Sequence, residues 1–421
     1  MNNGDTAWTL VSIALVLLMT PGLAFFYGGL VRERNAVNTI KMCFVAMGLI
    51  ALQWALVGYS LAFAEGNALL GGLDFLGLDG VGPAPDPAHA EGVPHLAFMA
   101  FQMMFAVITP ALICGAVVGR MRFKAYLAFI LLWALVVYDP VAHWVWGPGG
   151  WLAELGALDF AGGTVVHVTA GVSALVAALF LGPRTASVRS GEGERPHNVP
   201  LVVLGTGLLW FGWIGFNAGS ALAADGVAAL AVVTTMLSAA AAVAAWVGLD
   251  MLRGRKPTVV AACIAAVVGL VGITPAAGFV TPLAAIAIGA LSTGVSYAGM
   301  ALMRRSGCDD TLDVFACHGL GGITGALLTG VFATTSVNPG GADGLLAGNP
   351  GLLVPQVVGV VAAAALAAGG TAAILLVLRS VMRLRPTELE ERVGIDVTEH
   401  DELAYSYESD WFRTPELVEV R

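Results

Sequence analysis

The chain has 421 residues, 57% of them hydrophobic and only 12% charged, with a formal net charge of −9. A mean hydropathy of +0.82 exceeds what a water-soluble core needs, so repeated runs of about 20 apolar residues are read as membrane-crossing helices. The acidic C-terminal tail supplies nearly all of that net charge and will not bind an anionic leaflet, and no nucleic-acid partner is expected.

Hydropathy predicts eleven spans, at roughly 6–30, 40–63, 94–118, 124–147, 161–182, 199–219, 226–249, 258–274, 279–301, 310–333 and 352–380. The opening residues lack the basic stretch of a cleavable signal, so the first span is kept. All 20 Lys and Arg residues follow an odd-numbered span or lie in the tail, from Arg32 and Arg34 through Arg120–Lys124, Arg184, Arg189 and Arg253–Lys256 to Arg304, Arg305 and beyond. The positive-inside rule then puts the N-terminus outside and the C-terminus in the cytoplasm.

The expected fold class is an all-α polytopic membrane protein of eleven transmembrane helices. Spans one to five and six to ten form a five-plus-five inverted repeat, and the eleventh helix is peripheral. An odd number of spans per set makes the second set enter from the opposite side, with the site expected between the sets near the midplane. The transmembrane body covers residues 1–380: repeat one at about 6–182, repeat two at about 199–333 and helix eleven at about 352–380. Residues 381–421 form a cytoplasmic tail.

Between spans two and three, Glu65 to Val93 is rich in Gly, Pro and Asp and reads either as an ordered cap or as a flexible loop. The five cysteines form no CxxC pair and read as packing residues, without a metal site or disulfide. Asp139 and His143 flank Pro140 in span four and read as repair of the helix break that proline makes. Trp144, Trp146 and Trp151 follow as candidate interfacial anchors; a Trp face can also hold a partly dehydrated cation, for about 0.5–2 kcal/mol. On span six, Ser220 lies one turn beyond Phe216 and offers an oxygen acceptor. Phe105 on span three would supply a second ring at the same depth if the repeats pair.

Two later stretches match each other. Asp159–Gly171 reads DFAGGTVVHVTAG and Asp310–Gly322 reads DTLDVFACHGLGG. In each, Asp precedes His by the same interval, and Gly171 or Gly322 follows its His four residues on. Ionisable residues in spans are functional-site candidates by default. Two neutral imidazoles, His167 and His318, facing each other across a pore would let one donate where the other accepts. With span ten starting at Asp310, His318 lies about 12 Å along it, whereas His167 lies near the start of a span beginning at 161. Asp159 reads as a helix cap that could also tune a cation site. The tail from Thr387 holds eleven acidic residues and three arginines. Leu389, Val393, Ile395 and Val397 recur among the acids, which predicts packing under the bundle against the basic loops at Arg120–Lys124 and Arg253–Lys256.

The segments TPGLAFFYGGLVR (Thr20–Arg32), FQMMFAVITPALI (Phe101–Ile113), YDPVAHWVWG (Tyr138–Gly147), DFAGGTVVHVTAG, GWIGFNAGSA (Gly212–Ala221), ITPAAGFV (Ile273–Val280) and DVFACHGLGG (Asp313–Gly322) resemble the ammonium transporter family (Amt/Mep/Rh), closest to its bacterial Amt branch. The likeness runs over nearly the whole chain. It implies a homotrimer in the inner or plasma membrane, with one pore per subunit. Trp146, Ser220 and Phe105 match the ammonium recruitment site, and Phe105 with Phe216 the stacked phenylalanine gate. His167 and His318 match the twin-histidine pair of the lumen, and Asp159 the aspartate beneath the recruitment site. Asp313 is assigned a structural or electrostatic role. The cytoplasmic surface matches the docking face of a PII-type regulatory protein.

Three short stretches depart from the family pattern. Met103 and Met104 replace a small pair, Cys317 replaces a small residue or Val, and Val118–Gly119 stand where many members carry Ala-Glu before Arg120. The missing acid removes one cytoplasmic-end contact. The expected function is recruitment of ammonium outside, deprotonation and conduction of ammonia, with net charge movement open. An ammonium sensor signalling through partners is the alternative, and a neutral-gas channel of the Rh type a further one. No enzyme, cofactor or metal site is expected, since no nucleophile–base pair or metal cluster stands out.

Overall fold

A computed structural model describes residues 1–185 and 195–405; Arg189 and the acidic tail beyond 405 lie outside the described residues. Among the described residues, eleven apolar helices are present where hydropathy expects them. Ten are long enough to cross a bilayer: Asn3–Leu30, Glu33–Phe63, His95–Val117, Phe123–Glu154, Gly163–Leu181, Val199–Ala221, Gly226–Leu252, Pro282–Ser306, Phe315–Phe332 and Pro350–Val381. Span eight, Val259–Ile273, is shorter and is continued by the turns of Thr274–Phe279. The fold is thus mostly helical and multi-spanning, with two repeat halves and an additional eleventh helix.

Helix boundaries follow local chemistry. Span nine starts three residues later than hydropathy suggests because Thr281 accepts the Ala284 N–H and Pro282 occupies the first turn. It stops at Gly307, whose φ of +75° suits glycine. Spans two, four, five and ten each contain a π-helical turn, at Trp54–Gly58, Ala134–Tyr138, Gly163–Val168 and Phe315–Gly319. Such turns shift the face that side chains present and recur at functional sites.

Small residues let the halves approach. Span one packs along span six, where Gly205 meets the backbone of Gly22 and Phe26, and Gly212 meets Leu15 and Met19. Span eleven packs against spans five and four.

The Glu65–Val93 segment is an ordered cap. It holds two small antiparallel pairs, Gly66–Asn67 with Leu70–Gly71 and Pro85–Asp86 with Ala90–Pro94. His143 of span four ties this cap down, with one ring nitrogen on Ala62 O and the other on Asn67 O, while Asp139 accepts from the Gln53 amide of span two at 2.7 Å. These contacts join neighbouring elements rather than the free backbone groups around Pro140. A π-turn accommodates Pro140.

Candidate functional site: an aromatic vestibule, a phenylalanine pair and a histidine-lined lumen

Span five is recessed. Residues 155–162 approach it without helical structure, and Gly162, at φ +104°, turns the chain into the first helical residue, Gly163. Asp159 caps this start: its carboxylate accepts the N–H groups of Gly162, Gly163, Thr164 and Val165 at 2.6–3.0 Å. Its backbone carbonyl accepts the Trp146 indole N–H at 2.9 Å. One residue therefore fixes both the depth of His167 and the orientation of Trp146.

Span ten repeats the device from the other end. Its helix begins five residues later than Asp310, so His318 lies near its helix start, as His167 does. Asp310 accepts the Phe315 N–H at 2.7 Å, and its other oxygen, buried, has no partner among the described residues. Burial pushes the Asp310 carboxyl up to about 7, against the pull of the Phe315 N–H. The acid that caps this start is Asp310, not Asp313, for which a structural or electrostatic role was expected. Asp313 instead has φ +56° and lies 3.6 Å from Arg304.

The structure brings His167 and His318 together, with Nδ1 atoms 3.2 Å apart and ring centroids 5.2 Å apart. The reason is reciprocal. A Cβ at Gly171 would run into the backbone of Gly319 and lie 3.0 Å from the His318 carbonyl carbon. A Cβ at Gly322 would lie 2.8 Å from Gly163 O and 3.0 Å from the His167 Cβ. Each glycine one turn after a histidine thus makes room for the other repeat's histidine.

One Nδ1 must donate and the other accept, so the neutral pair offers one Nε2 lone pair and one Nε2–H. His167 Nε2 is buried and has no partner among the described residues. The enclosed space beside the pair is ≈ 10 Å³, walled by Leu23, Phe26, Ile108, Leu112, Trp213 and Phe216 among others. That is room for about one water-sized molecule.

Above it, Phe105 and Phe216 stack with centroids 4.3 Å apart at 31°. Phe216 faces the lumen and Phe105 faces a second cavity of ≈ 310 Å³; the ring pair separates the two. Trp146 lines the second cavity edge-on to Phe105, at 5.9 Å and 83°. Ser220 lines it too; its hydroxyl donates to Phe216 O at 2.9 Å, which leaves oxygen lone pairs to accept from a guest.

Trp213 is a wall residue that sequence reasoning passed over. It stacks on His167 at 5.4 Å and 25°, and its indole donates to Thr274 at 2.9 Å. Its place three residues before Phe216, on the same helix face, was the available signal.

The opposite face carries the basic loops. There Arg120 is fully buried. It is neutralised by Asp309 at 3.4 Å and capped by the carbonyls of Gly182, Ala116 and Asp309. Burial pushes the Arg120 guanidinium down to about 10, opposed by Asp309. Asp309 also pairs with Arg184 at 2.8 Å. Burial pushes the Asp309 carboxyl up, but the hydrogen bonds and charge of Arg184, with the charge of Arg120, outweigh it and leave the group below its ordinary range.

The tail docks on this face through two short helices, Glu388–Val393 and Ile395–His400. Arg122 bridges Glu390 and Glu399, each at 2.7 Å. Asp396 caps span two by accepting the Val37 and Asn38 N–H groups. Val393 and Ile395 are buried. The tail therefore meets the Arg120–Lys124 loop and the span-one–span-two connection. Among the described residues of this chain it does not pair with Arg253–Lys256; Arg253 and Arg255 lie instead against Tyr297.

Similarity to known proteins runs over the same length as the fold. The family model described as "Ammonium Transporter Family" matches residues 7–405. An ammonium transporter of Bacillus subtilis is 48% identical over 406 residues, covering 96% of this chain and 99% of the relative. One from Aquifex aeolicus is 49% identical, covering 96% and 94%. Among solved structures, Mep2 of Candida albicans superposes with a TM-score of 0.88 at 35% identity, covering 100% of this chain and 91% of that one. A protein titled "Sensor Amt Protein" superposes at 0.84 with 30% identity, covering 94% and 98%. Matched over nearly its whole length by sequence and by fold, the chain belongs to the ammonium transporter family.

Proposed function

We propose that the chain recruits ammonium from the outer side into the aromatic vestibule, where the cation gives its proton to water in that cavity, and conducts ammonia past His167 and His318 while the proton stays outside or follows by a separate route. The observation that carries this reading is the close imidazole pair beside a lumen with room for about one water-sized molecule. A hydrated cation does not fit there. Dehydrating a cation into apolar walls costs several kcal/mol or more. Ammonia has no charge to bury and can donate to one Nε2 and accept from the other.

In this reading Trp146 and Phe105 offer π faces to the cation and Ser220 offers an oxygen. Phe105 and Phe216 must part for passage, since their stacked rings separate vestibule from lumen. Asp159 acts by position, holding Trp146 and the start of span five. The basic loops support assigning that face to the cytoplasm and the N-terminus to the outside of a cell membrane. The subunit works in a homotrimer, and the tail and basic loops form a docking face for a PII-type regulatory protein.

The test is uptake of labelled methylammonium into vesicles with the voltage recorded at the same time. His167→Ala with His318→Ala abolishes selective conduction in protein that still assembles. Wild-type rate and selectivity in the double variant would remove the histidines from the path. The current tells whether charge crosses with the nitrogen.

A sensor role is the second reading, favoured by the likeness to the protein titled as a sensor and by the docked tail. It predicts ammonium-dependent change at the tail without vesicle uptake.

A further inference from the structure

We propose that Asp86, His89 and His95 form a binding site for a divalent transition-metal ion of the zinc type, built into the cap beside the vestibule. The cap's second hairpin supplies Asp86 and, in its turn, His89; His95 opens span three. One ligand atom from each lies within 4.8 Å of the other two. Asp86 Oδ2 is 3.1 Å from His89 Nδ1 and 3.7 Å from His95 Nδ1. Two donors about 2.1 Å from one ion at a tetrahedral angle stand about 3.4 Å apart, so the carboxylate already has the separation from both imidazoles that a shared ion imposes.

The outer contacts aim the nitrogens. His89 Nε2 is 2.8 Å from Phe63 O. A carbonyl oxygen only accepts, so Nε2 carries the hydrogen, and neutral His89 turns its Nδ1 lone pair onto Asp86. A lone pair facing a carboxylate at hydrogen-bond distance needs a cation to join them: either a proton that makes His89 an imidazolium, or a metal ion. The Tyr59 hydroxyl contacts His95 Nε2 and can take that hydrogen, freeing the second Nδ1. Partners behind ligating histidines fix tautomer and ring orientation in this way.

Access and chemistry agree. The two histidine side chains are 3% and 4% exposed, whereas Asp86 is 29% exposed. An ion reaches the site from the carboxylate side and keeps water in its remaining positions. Two imidazoles and one carboxylate suit zinc, cobalt, nickel or copper; calcium and magnesium prefer all-oxygen sets. His89 also lines the vestibule, so an occupied site adds positive charge beside the cavity proposed to receive a cation.

The experiment is calorimetric titration of Zn2+ into tag-free, EDTA-stripped protein in detergent at neutral pH, with Co2+ absorption reporting coordination geometry. We expect one Zn2+ per chain, and binding at least about ten-fold weaker in Asp86→Asn and in His89→Gln. Asp86→Asn keeps an oxygen to accept the Ala88 N–H now held at 3.0 Å, so the hairpin persists and this variant decides the matter even if His89→Gln misfolds. No stoichiometric binding, or binding unchanged in Asp86→Asn, overturns the proposal and leaves His89 as an imidazolium paired with Asp86. The outcome is independent of whether the chain transports ammonium.

Discussion

Gly171→Ala is the sharpest probe of how the two histidines are held. Without a side chain, Gly171 lets span five lie on the backbone of Gly319. An added Cβ would overlap Gly319 and lie 3.0 Å from the His318 carbonyl carbon. Ordinary carbon–carbon contact needs about 3.5–4.0 Å, so that contact alone pushes the spans apart by about 0.5–1 Å, and the tighter one to Gly319 by more. Added to the 3.2 Å Nδ1–Nδ1 separation, this passes the hydrogen-bond limit of about 3.2 Å for nitrogen donors. Overpacking of this kind costs about 1–3 kcal/mol. The expected result is a folded but less heat-stable protein whose methylammonium uptake falls at least about ten-fold, equivalent to about 1.4 kcal/mol on the barrier. Gly207→Ala is the control: a Cβ there meets nothing within 4 Å, and alanine in an open helical position stabilises by up to about 1 kcal/mol. Uptake and thermal stability in Gly171→Ala equal to those of Gly207→Ala would refute the argument that glycine contact sets the histidine spacing.

Other expectations rest on separate parts of the structure. Trp146→Leu removes the π face while keeping apolar bulk, so half-saturation for ammonium should rise about 2- to 30-fold, the equivalent of about 0.5–2 kcal/mol; unchanged affinity and selectivity against potassium would make Trp146 an anchor only. Arg122→Ala removes both bridges to the tail, each partly exposed pair being worth about 0.2–1 kcal/mol, and hydrogen exchange over residues 388–400 should quicken; unchanged exchange would place the docking energy in Val393 and Ile395. Asp309 has its folded pKa below the ordinary carboxylate value, so its stabilisation is complete above that value and is lost as pH falls through the depressed one. Thermal stability should drop in acid by more in wild type than in Asp309→Asn. At neutral pH that variant leaves Arg120 buried without its counter-charge and should lose about 3–5 kcal/mol.

Much of the molecule follows from local pattern. The spans are legible because a bilayer admits long apolar helices and demands that each satisfy its own backbone. Their ends are harder to place. Apolarity does not distinguish helix from extended chain, so residues 161–162 and 310–313 read as parts of spans five and ten; a left-handed Gly162 and a positive φ at Asp313 start both helices later. That correction places the two histidines equivalently, each just inside a recessed helix start.

The candidate site divides in the same way. Matched intervals in two motifs single out His167 and His318, and the trailing glycines are visible in the sequence with no reason attached. Only the packed structure supplies the reason, because each glycine makes room for the histidine of the other repeat. The proposed metal site was not legible in the sequence, for a related cause. Asp86, His89 and His95 fall in a loop and at a helix start, in no recognised ligand spacing, and a hairpin and the ring contacts behind the histidines bring their donor atoms together. The tail shows the same limit: its charge foretold a basic partner, but several basic loops qualify by charge alone. Which one it meets depends on where Asp396 can cap a helix and where Ile395 can be buried. Sequence by itself determined what must leave water and what must stay charged, since those are properties of single residues and their period. Tertiary structure decided which distant residues share a cavity, a ligand or a cap, since those distances exist only once the helices have packed.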